Sequence, residues 1–365
     1  MLCQQTQQTR WGRDRGLVTD QAESCDQCNQ MQIQENIPLA PLTTFGIGGP
    51  ARFFALVENV EELEESLDFA RDRQLKVFVL GGGSNVLVGD KGFDGLVIKI
   101  EIKGIEEVVG LCVAGAGERW DALVEYSVQK NLWGIENLSG IPGSVGGSTV
   151  QNVGAYGQAL SQTLEWIEVY DTYARRVLRL AKSDCAFGYR RSIFKESDGR
   201  YIVLRVALKL SATGTPSVSY KDLREMFLER SPPLQEVRDA VLEIRAKKFP
   251  NTRQEGTAGS FFKNPILSAA KAEALQAKYP EMPLFALPES TDIKVPLAWF
   301  LDYRHGVMDL RGVVVGGARM YEKQFLVLVA EKNTLAEDVK KLAVLVQKKV
   351  RETLGVEIEP EVKII

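Results

Sequence analysis

The sequence predicts an α+β fold built from several small layers. Helical and strand patterns are mixed along the chain, without the regular alternation of a parallel α/β sheet. The chain has 365 residues, more than one typical domain, so two or three packed units are expected. Composition is that of an ordinary globular protein, 45 % hydrophobic and 25 % charged, which is enough to bury a sizeable core. A formal charge of -3 gives no reason to expect nucleic acid as a partner. No apolar run reaches membrane-spanning length, since "FLVLVA" is strand-sized. No basic segment followed by an apolar one marks a secretory signal. Five cysteines, odd and sparse, suit a reducing cytoplasm better than a disulfide framework.

Taken in order, residues 1–34 are polar and glutamine-rich and are expected to form a flexible extension, with a short helix admitted around Asp20 to Met31. Cys25 and Cys28 form a CxxC there. No second pair and no histidine pair completes a zinc site, so they are read as two incidental thiols and no metal is expected. Organised chain is expected from near Ile37. Val60, Leu63, Leu67 and Ala70 share a helical face, with Asn59 as its N-cap. "KVFVL" reads as a strand that runs straight into "GGGSN", and "GLVIKI" as a second strand. "RWDALVEYSVQKN" reads as a helix and Gly134 to Gly157 as loop. Strands are expected at "LEWIEVYD" and "YIVLRVALKL". Helices are expected at "YKDLREMFLER", "LQEVRDAVLEIRAKK" and "SAAKAEALQAKY". "GVVVGG" and "FLVLVA" read as late strands. A helix from about Leu335 to Leu354 and a last strand into "EPEVKII" close the chain.

Several stretches carry chemistry. Three consecutive glycines after a strand let backbone N–H groups converge on phosphate oxygens, with Ser84 and Asn85 adding donors. The stretch is neither a Walker A loop nor a dinucleotide fingerprint. "LSGIPGSVGGSTVQNVGAYG" is small-residued, yet its Ile141, Val145, Val153 and Tyr156 call for packing against something. "TTFGIGGPA" is a third glycine-rich turn. "FGYRRSIFK" offers an arginine for a carboxylate or enolate, or else reads as a surface strand with solvated Arg190 and Arg191. Tyr220 in "VSYKDL" and the lysines of "RAKKFP" suit an anion, or equally a helix start and a cationic helix end. "TAGSFFKNP" sets Ser260 beside a glycine, but the one histidine, His305, lies far downstream. A nucleophilic serine would lack a base, and no Ser sits in the hydrolase elbow motif.

Five ordered motifs, "LGGGSNVLV", "GIPGSVGGSTVQNVGAYG", "FGYRRSIFK", "GSFFKNP" and "EPEVKII", closely resemble the UDP-N-acetylenolpyruvoylglucosamine reductase (MurB) family from about Ile37 to the C-terminus. The resemblance implies a PCMH-type FAD-binding fold of two α/β subdomains plus a C-terminal α+β substrate-binding domain. It divides the chain into residues 35–100, 101–230 and 231–354, with 355–365 returning to the active site. It implies NADPH-dependent, FAD-mediated reduction of UDP-N-acetylglucosamine enolpyruvate to UDP-N-acetylmuramate in peptidoglycan precursor synthesis. FAD would be non-covalent. Thr44, Gly46, Gly81, Gly82, Gly83, Ser84 and Asn85 would bind it, with Ser144, Gly147, Ser148, Asn152 and Gly154 along the flavin.

In that pattern, hydride passes from the flavin to C3 and Ser260 gives the proton to C2. Arg190 and Glu361 bracket the enolate carboxylate, with Glu361 protonated or hydrogen-bonded. Lys263, Glu361 or a water would let Ser260 give up its proton. Tyr189, Tyr220, Lys248, Lys263 and Asn264 would meet the substrate, and Tyr220 suggests the type I branch. A monomer in the cytoplasm is expected, with no nucleic-acid or membrane partner. Ala298 departs from the pattern, which has glycine before the tryptophan. Other readings are an FAD-dependent oxidase of the PCMH group and a flavin- or nucleotide-binding sensor that has lost the reaction.

Overall fold

Residues 32–365 are described in a computed structural model of the chain, apart from residues 198, 229, 288 and 289. The expected N-terminal extension, with Cys25 and Cys28, lies outside the described residues apart from its last three positions.

The first described strand is β1 (Ile33–Pro38), which starts four residues ahead of Ile37. "IQENIP" buries only Ile33 and Ile37 in part, so its pattern is too polar to read as a strand; pairing along β2 (Pro50–Val57) supplies what side-chain burial does not. Helix α1 (Val60–Asp72) buries Leu63, Leu67 and Ala70, and the Asn59 side chain accepts the Glu62 N–H at 2.9 Å. Strand β3 (Lys76–Leu80) leads through the glycine turn to the short β4 (Val86–Leu87), and β5 (Phe93–Ile100) completes a sheet of order β1-β2-β5-β3. Strands β2 and β3 both run parallel to β5.

The second layer is an antiparallel sheet of order β11-β10-β12-β7-β6. Its members are β6 (Ile105–Val108) and β7 (Leu111–Gly115), then, after helix α2 (Trp120–Gln129), helix α3 (Val145–Val150), the hairpin β8 (Gly154–Ala155) and β9 (Gln158–Ala159), and helix α4 (Leu160–Thr163), the strands β10 (Leu164–Asp171) and β11 (Arg176–Ala181). Helix α5 (Ile193–Glu196) precedes the last strand, β12 (Tyr201–Leu208). The stretch read as loop therefore contains a helix, and "IFKE", capped by Ser192, is helical rather than a surface strand.

Helices α6 (Lys221–Phe227) and α7 (Leu234–Lys248) follow. Helix α7 packs Ala240, Val241 and Ile244 with Leu223, Phe227 and Tyr156, and its Arg238 forms a bidentate pair with Asp121 of α2, 2.7 and 3.0 Å. It thus leans on the second layer, not on the C-terminal part to which the family-like division assigned it.

The C-terminal part holds β13 (Ile266–Leu267), α8 (Ala269–Lys278), β14 (Phe285–Ala286) and β15 (Ile293–Lys294), the strands forming one small sheet. Helix α9 (Leu297–Leu301) is followed by a second small sheet of β16 (Val314–Val315), β17 (Ala318–Met320) and β18 (Leu328–Ala330). Helix α10 (Ala336–Leu354) buries Val339, Leu342, Val346 and Val350. Its first turn is capped from the first layer, where Asp90 accepts the N–H groups of Ala336 and Glu337 at 2.7 and 3.1 Å. Strand β19 (Lys363–Ile364) then runs parallel to β4. One core joins Phe261, Phe262, Phe300 and the α10 face to Phe45 and Leu87 of the first layer. Phe261 and Phe262 are 0 and 1 % exposed, a burial that contributes about 1.5–3 kcal/mol each. Ala298 packs partly buried against this core.

Candidate active site

Three glycine-rich turns meet backbone to backbone. A β-carbon on Gly82 would lie 2.5 Å from the Gly143 α-carbon. One on Gly83 would lie 2.0 Å from the Leu42 carbonyl oxygen, and Gly83 also has φ +64°. Neither position admits a side chain, because the crowding atoms are main chain. The Thr44 N–H donates to Gly83 O at 3.0 Å, and Ser84 Oγ donates to Pro142 O at 2.9 Å. Thr44, Gly81, Gly82, Gly83 and Ser84 therefore form one cradle with the Gly143–Ser144 segment. Ser144 caps α3 by accepting the Gly147 N–H at 3.2 Å, and Ser148 is buried on that helix. Gly46 stands in the same turn as Thr44 at φ +68°, with open space around it.

A wall made largely of glycine backbone, with small hydroxyl side chains at its rim, fits a pyrophosphate, which needs close N–H approach and little bulk. The residues present therefore fit an FAD, with the cradle for its phosphates and the α3 segment beyond it.

The second half of the site is the stretch Thr257–Asn264. The Phe261 N–H donates to Leu326 O at 2.7 Å, and Phe261 O accepts the Glu361 N–H at 2.7 Å. The stretch is thus laid between the approach to β18 and the C-terminal segment. Gly259 takes φ +74°, turning the chain into Ser260. Among the described residues, Ser260 Oγ has no hydrogen-bond partner. Two contacts tie this half to the cradle. Thr44 Oγ1 donates to Thr257 O at 2.6 Å, and Asn85 Nδ2 donates to Glu361 O at 3.2 Å.

Arg190 arrives from the second layer on a tight turn closed by Gly188 and Arg191, whose N–H and C=O groups exchange hydrogen bonds of 3.1 and 3.2 Å. Its φ is +54°, a left-handed conformation that costs an arginine roughly 1–2 kcal/mol. Its Nε lies 2.7 Å from Glu361 Oε1 and its Nη2 donates to Gly154 O at 3.3 Å. The carboxylate oxygen sits off the N–H direction, so Nε is ion-paired but has no aligned acceptor. Arg190 and Glu361 thus form an ion pair at 2.7 Å.

Tyr189 Oη accepts from the Asn264 backbone and side-chain nitrogens, both at 3.4 Å. Burial pushes the Tyr189 phenol above its ordinary value, against the pull of Arg190. Lys263 pairs with Glu359 at 2.8 Å.

Asn152 was expected to line the flavin. Its amide donates to Gly188 O at 3.0 Å and accepts the Ser161 N–H at 3.1 Å, so it fastens the Arg190 turn to the glycine-rich loop. Asn152→Ala is expected to cost about 1–3 kcal/mol, read as a lowered melting temperature. An unchanged melting temperature would remove that role.

Tyr220 and Lys248 gather elsewhere. The Tyr220 ring meets Tyr156 edge-on at 5.4 Å, and Lys248 pairs with Asp222 at 2.5 Å. Their partners are thus Tyr156 and Asp222, not Arg190 or Ser260.

Two lysines of the site escaped the sequence reading. Lys294 lies over the Tyr189 and Phe285 rings, 5.1 and 5.2 Å from their centroids. Burial, and then Arg190, lower its pKa. Lys195 donates to Gln151 Oε1 at 2.9 Å and to Arg190 O at 3.4 Å. The capping serine Ser192, which accepts the Lys195 N–H at 3.3 Å, was the signal available for Lys195: Ser-x-x-Lys-Glu reads as a helix start.

A family profile described as the FAD binding domain matches residues 51–177. A second, described as the UDP-N-acetylenolpyruvoylglucosamine reductase C-terminal domain, matches residues 251–365. A UDP-N-acetylenolpyruvoylglucosamine reductase of Amoebophilus asiaticus is 41 % identical over 345 residues, covering 92 % of this chain and 100 % of that relative. Its Escherichia coli counterpart is 38 % identical over 335 residues, covering 90 and 96 %. The crystal structure of UDP-N-acetylenolpyruvylglucosamine reductase (MurB) from Thermus caldophilus matches with a TM-score of 0.64 and 26 % identity, over 92 % of this chain and 99 % of that one. The expected α+β class, with an FAD-binding part and a separate C-terminal domain, agrees with these matches.

Proposed function

Because the chain belongs to the UDP-N-acetylenolpyruvoylglucosamine reductase family of oxidoreductases, we propose that it reduces UDP-N-acetylglucosamine enolpyruvate to UDP-N-acetylmuramate with NADPH, for peptidoglycan precursor synthesis. The observation that carries the reading is the junction of Ser260, Arg190 and Glu361 beside the glycine cradle. Glu361 bonds the residue after Ser260 through its backbone, Arg190 through its carboxylate and Asn85 through its carbonyl.

FAD would be held non-covalently by Thr44 and Gly81–Ser84 of the cradle and would supply hydride chemistry at C3 of the enolpyruvyl group, with NADPH as the reductant. The protein does the rest. As C3 gains hydride, negative charge builds at C2 and in its carboxylate, so cations must stand close to that carboxylate. Arg190 offers Nη1 and Nη2 for this while Glu361 steadies Nε. Ser260 gives its proton to C2. Its Oγ makes no competing hydrogen bond among the described residues, which leaves it available as a donor. The Asn264 amide and the Tyr189 phenol, already joined to each other, hold the substrate on the Lys263 side. Tyr220 and Lys248 then serve the uridine diphosphate, which requires Lys248 to exchange Asp222 for a phosphate oxygen.

The compartment is assigned to the cytoplasm. Cys112 and Cys185 are buried free thiols, as a reducing compartment allows.

Steady-state turnover of the purified protein tests this reading. NADPH should be consumed only when the enolpyruvyl sugar nucleotide is present, and the product should carry one added hydride and one added proton. Oxygen uptake with a simple alcohol and no NADPH turnover would favour the oxidase reading instead. Retained FAD with no NADPH consumption would favour the sensor.

A further inference from the structure

The proposed reaction leaves two partly buried lysines of the site, Lys195 and Lys294, without a role. Lys195 sits on α5, fixed at its base by Ser192, which is fully buried and donates its hydroxyl to Val150 O at 2.6 Å. Its ammonium bonds two neutral oxygens, Gln151 Oε1 at 2.9 Å and Arg190 O at 3.4 Å. Arg190, in contrast, has Glu361 at 2.7 Å, and Lys263 has Glu359 at 2.8 Å. Burial lowers the Lys195 pKa, while Glu361 pulls it back up. Lys294, which also lacks a carboxylate in contact, is held on aromatic faces. Lys195 alone of these cations is bonded to the backbone that presents Arg190. That backbone is in the left-handed region, where an arginine stays only if its surroundings hold it.

We propose that Lys195 is a positioning residue for the reduction. It holds the Arg190 peptide in its turn, joins that turn to the glycine-rich loop through Gln151, and adds a second positive charge beside the Arg190 guanidinium, whose own charge Glu361 partly offsets. The inference rests on the reaction proposed above.

The test uses flavin-loaded Lys195→Met and Lys195→Arg. Methionine keeps the length and apolar stem of the side chain but removes the charge and both donated bonds. Arginine keeps charge and donors. In Lys195→Met, reoxidation of the reduced flavin by the enolpyruvyl substrate should slow by about tenfold or more, and its KM should rise, the scale of one lost charge-assisted contact. Flavin content, melting temperature and reduction by NADPH should stay near wild type. Lys195→Arg should recover most of the lost rate.

Unchanged reoxidation in Lys195→Met overturns the proposal. So does equal damage to both half-reactions, which is the mark of a general structural role, and so does a Lys195→Arg variant as slow as Lys195→Met. If wild type itself fails to reoxidise, the proposed reaction falls. Lys195 is then judged by substrate binding to the oxidised protein, read from flavin absorbance: about tenfold weaker binding in Lys195→Met supports the proposal, and unchanged binding overturns it.

Discussion

Ser260→Ala should leave NADPH able to bleach the flavin and slow its reoxidation by the enolpyruvyl substrate by roughly two to four powers of ten, the usual scale for a lost general acid. The half-reactions should separate because only the second needs a proton at C2. The substitution removes one oxygen from a partly exposed position that makes no side-chain hydrogen bond among the described residues. The stretch around it is held by main-chain bonds of Phe261 to Leu326 and Glu361 and by the burial of both phenylalanines. Stability should therefore hardly move, and a kinetic loss cannot be blamed on unfolding. Stopped-flow absorbance of the two half-reactions checks this. Equal reoxidation rates in variant and wild type would end the assignment of Ser260 as donor.

Gly83→Val should strip the protein of FAD. The new β-carbon would sit on the Leu42 carbonyl oxygen, and valine is poorly suited to φ +64°. Strain and overpacking together should cost roughly 2–5 kcal/mol. Relief by moving Leu42 would pull at Thr44, which bonds both Gly83 and Thr257. The damage should then reach the Ser260 stretch as well. Gly46→Ala gives the contrast. Its φ is also positive, but nothing lies within 4 Å of the added carbon, so only the conformational cost of about 1–2 kcal/mol applies. Flavin-to-protein absorbance ratios and melting temperatures should show a colourless, destabilised Gly83→Val beside a yellow, slightly destabilised Gly46→Ala. A yellow Gly83→Val of wild-type stability would mean that the cradle does not hold the cofactor.

Elements with strong local patterns were legible in the sequence. Helix α7 and strand β10 fall on their expected bounds, because an amphipathic helix and a long apolar strand each write their own period. Where the pattern is weak, the reading failed for identifiable reasons. "VGGSTV" has poor helical propensity, and α3 stands on its Ser144 cap and on packing against the second sheet. "GVVVGG" is split by a turn at Gly316, φ +58°, into the hairpin of β16 and β17. Only the end of "FLVLVA" pairs as strand.

The site was legible as a set of motifs in order, which named Arg190, Ser260 and Glu361, but not as contacts. No local pattern encodes that Asn85 bonds Glu361, that Thr44 bonds Thr257, or that Asn152 bonds the Arg190 turn. The first two follow from β19 docking beside β4 and from the Thr257–Asn264 stretch lying against the segment before β19, and the third from the turn at Gly188–Arg191 meeting the glycine-rich loop; all are properties of the closed fold. Lys195 went unread for the same reason: its importance lies in the carbonyl it meets.

The central claim is that one site takes hydride from NADPH and passes it to the enolpyruvyl sugar nucleotide. An anaerobic single turnover tests it most directly. The yellow protein is bleached with one equivalent of NADPH and then mixed with UDP-N-acetylglucosamine enolpyruvate. The expected result is full return of the oxidised flavin spectrum, with UDP-N-acetylmuramate formed in equal amount to flavin. A flavin that stays bleached, with the enolpyruvyl compound recovered intact, would contradict the account.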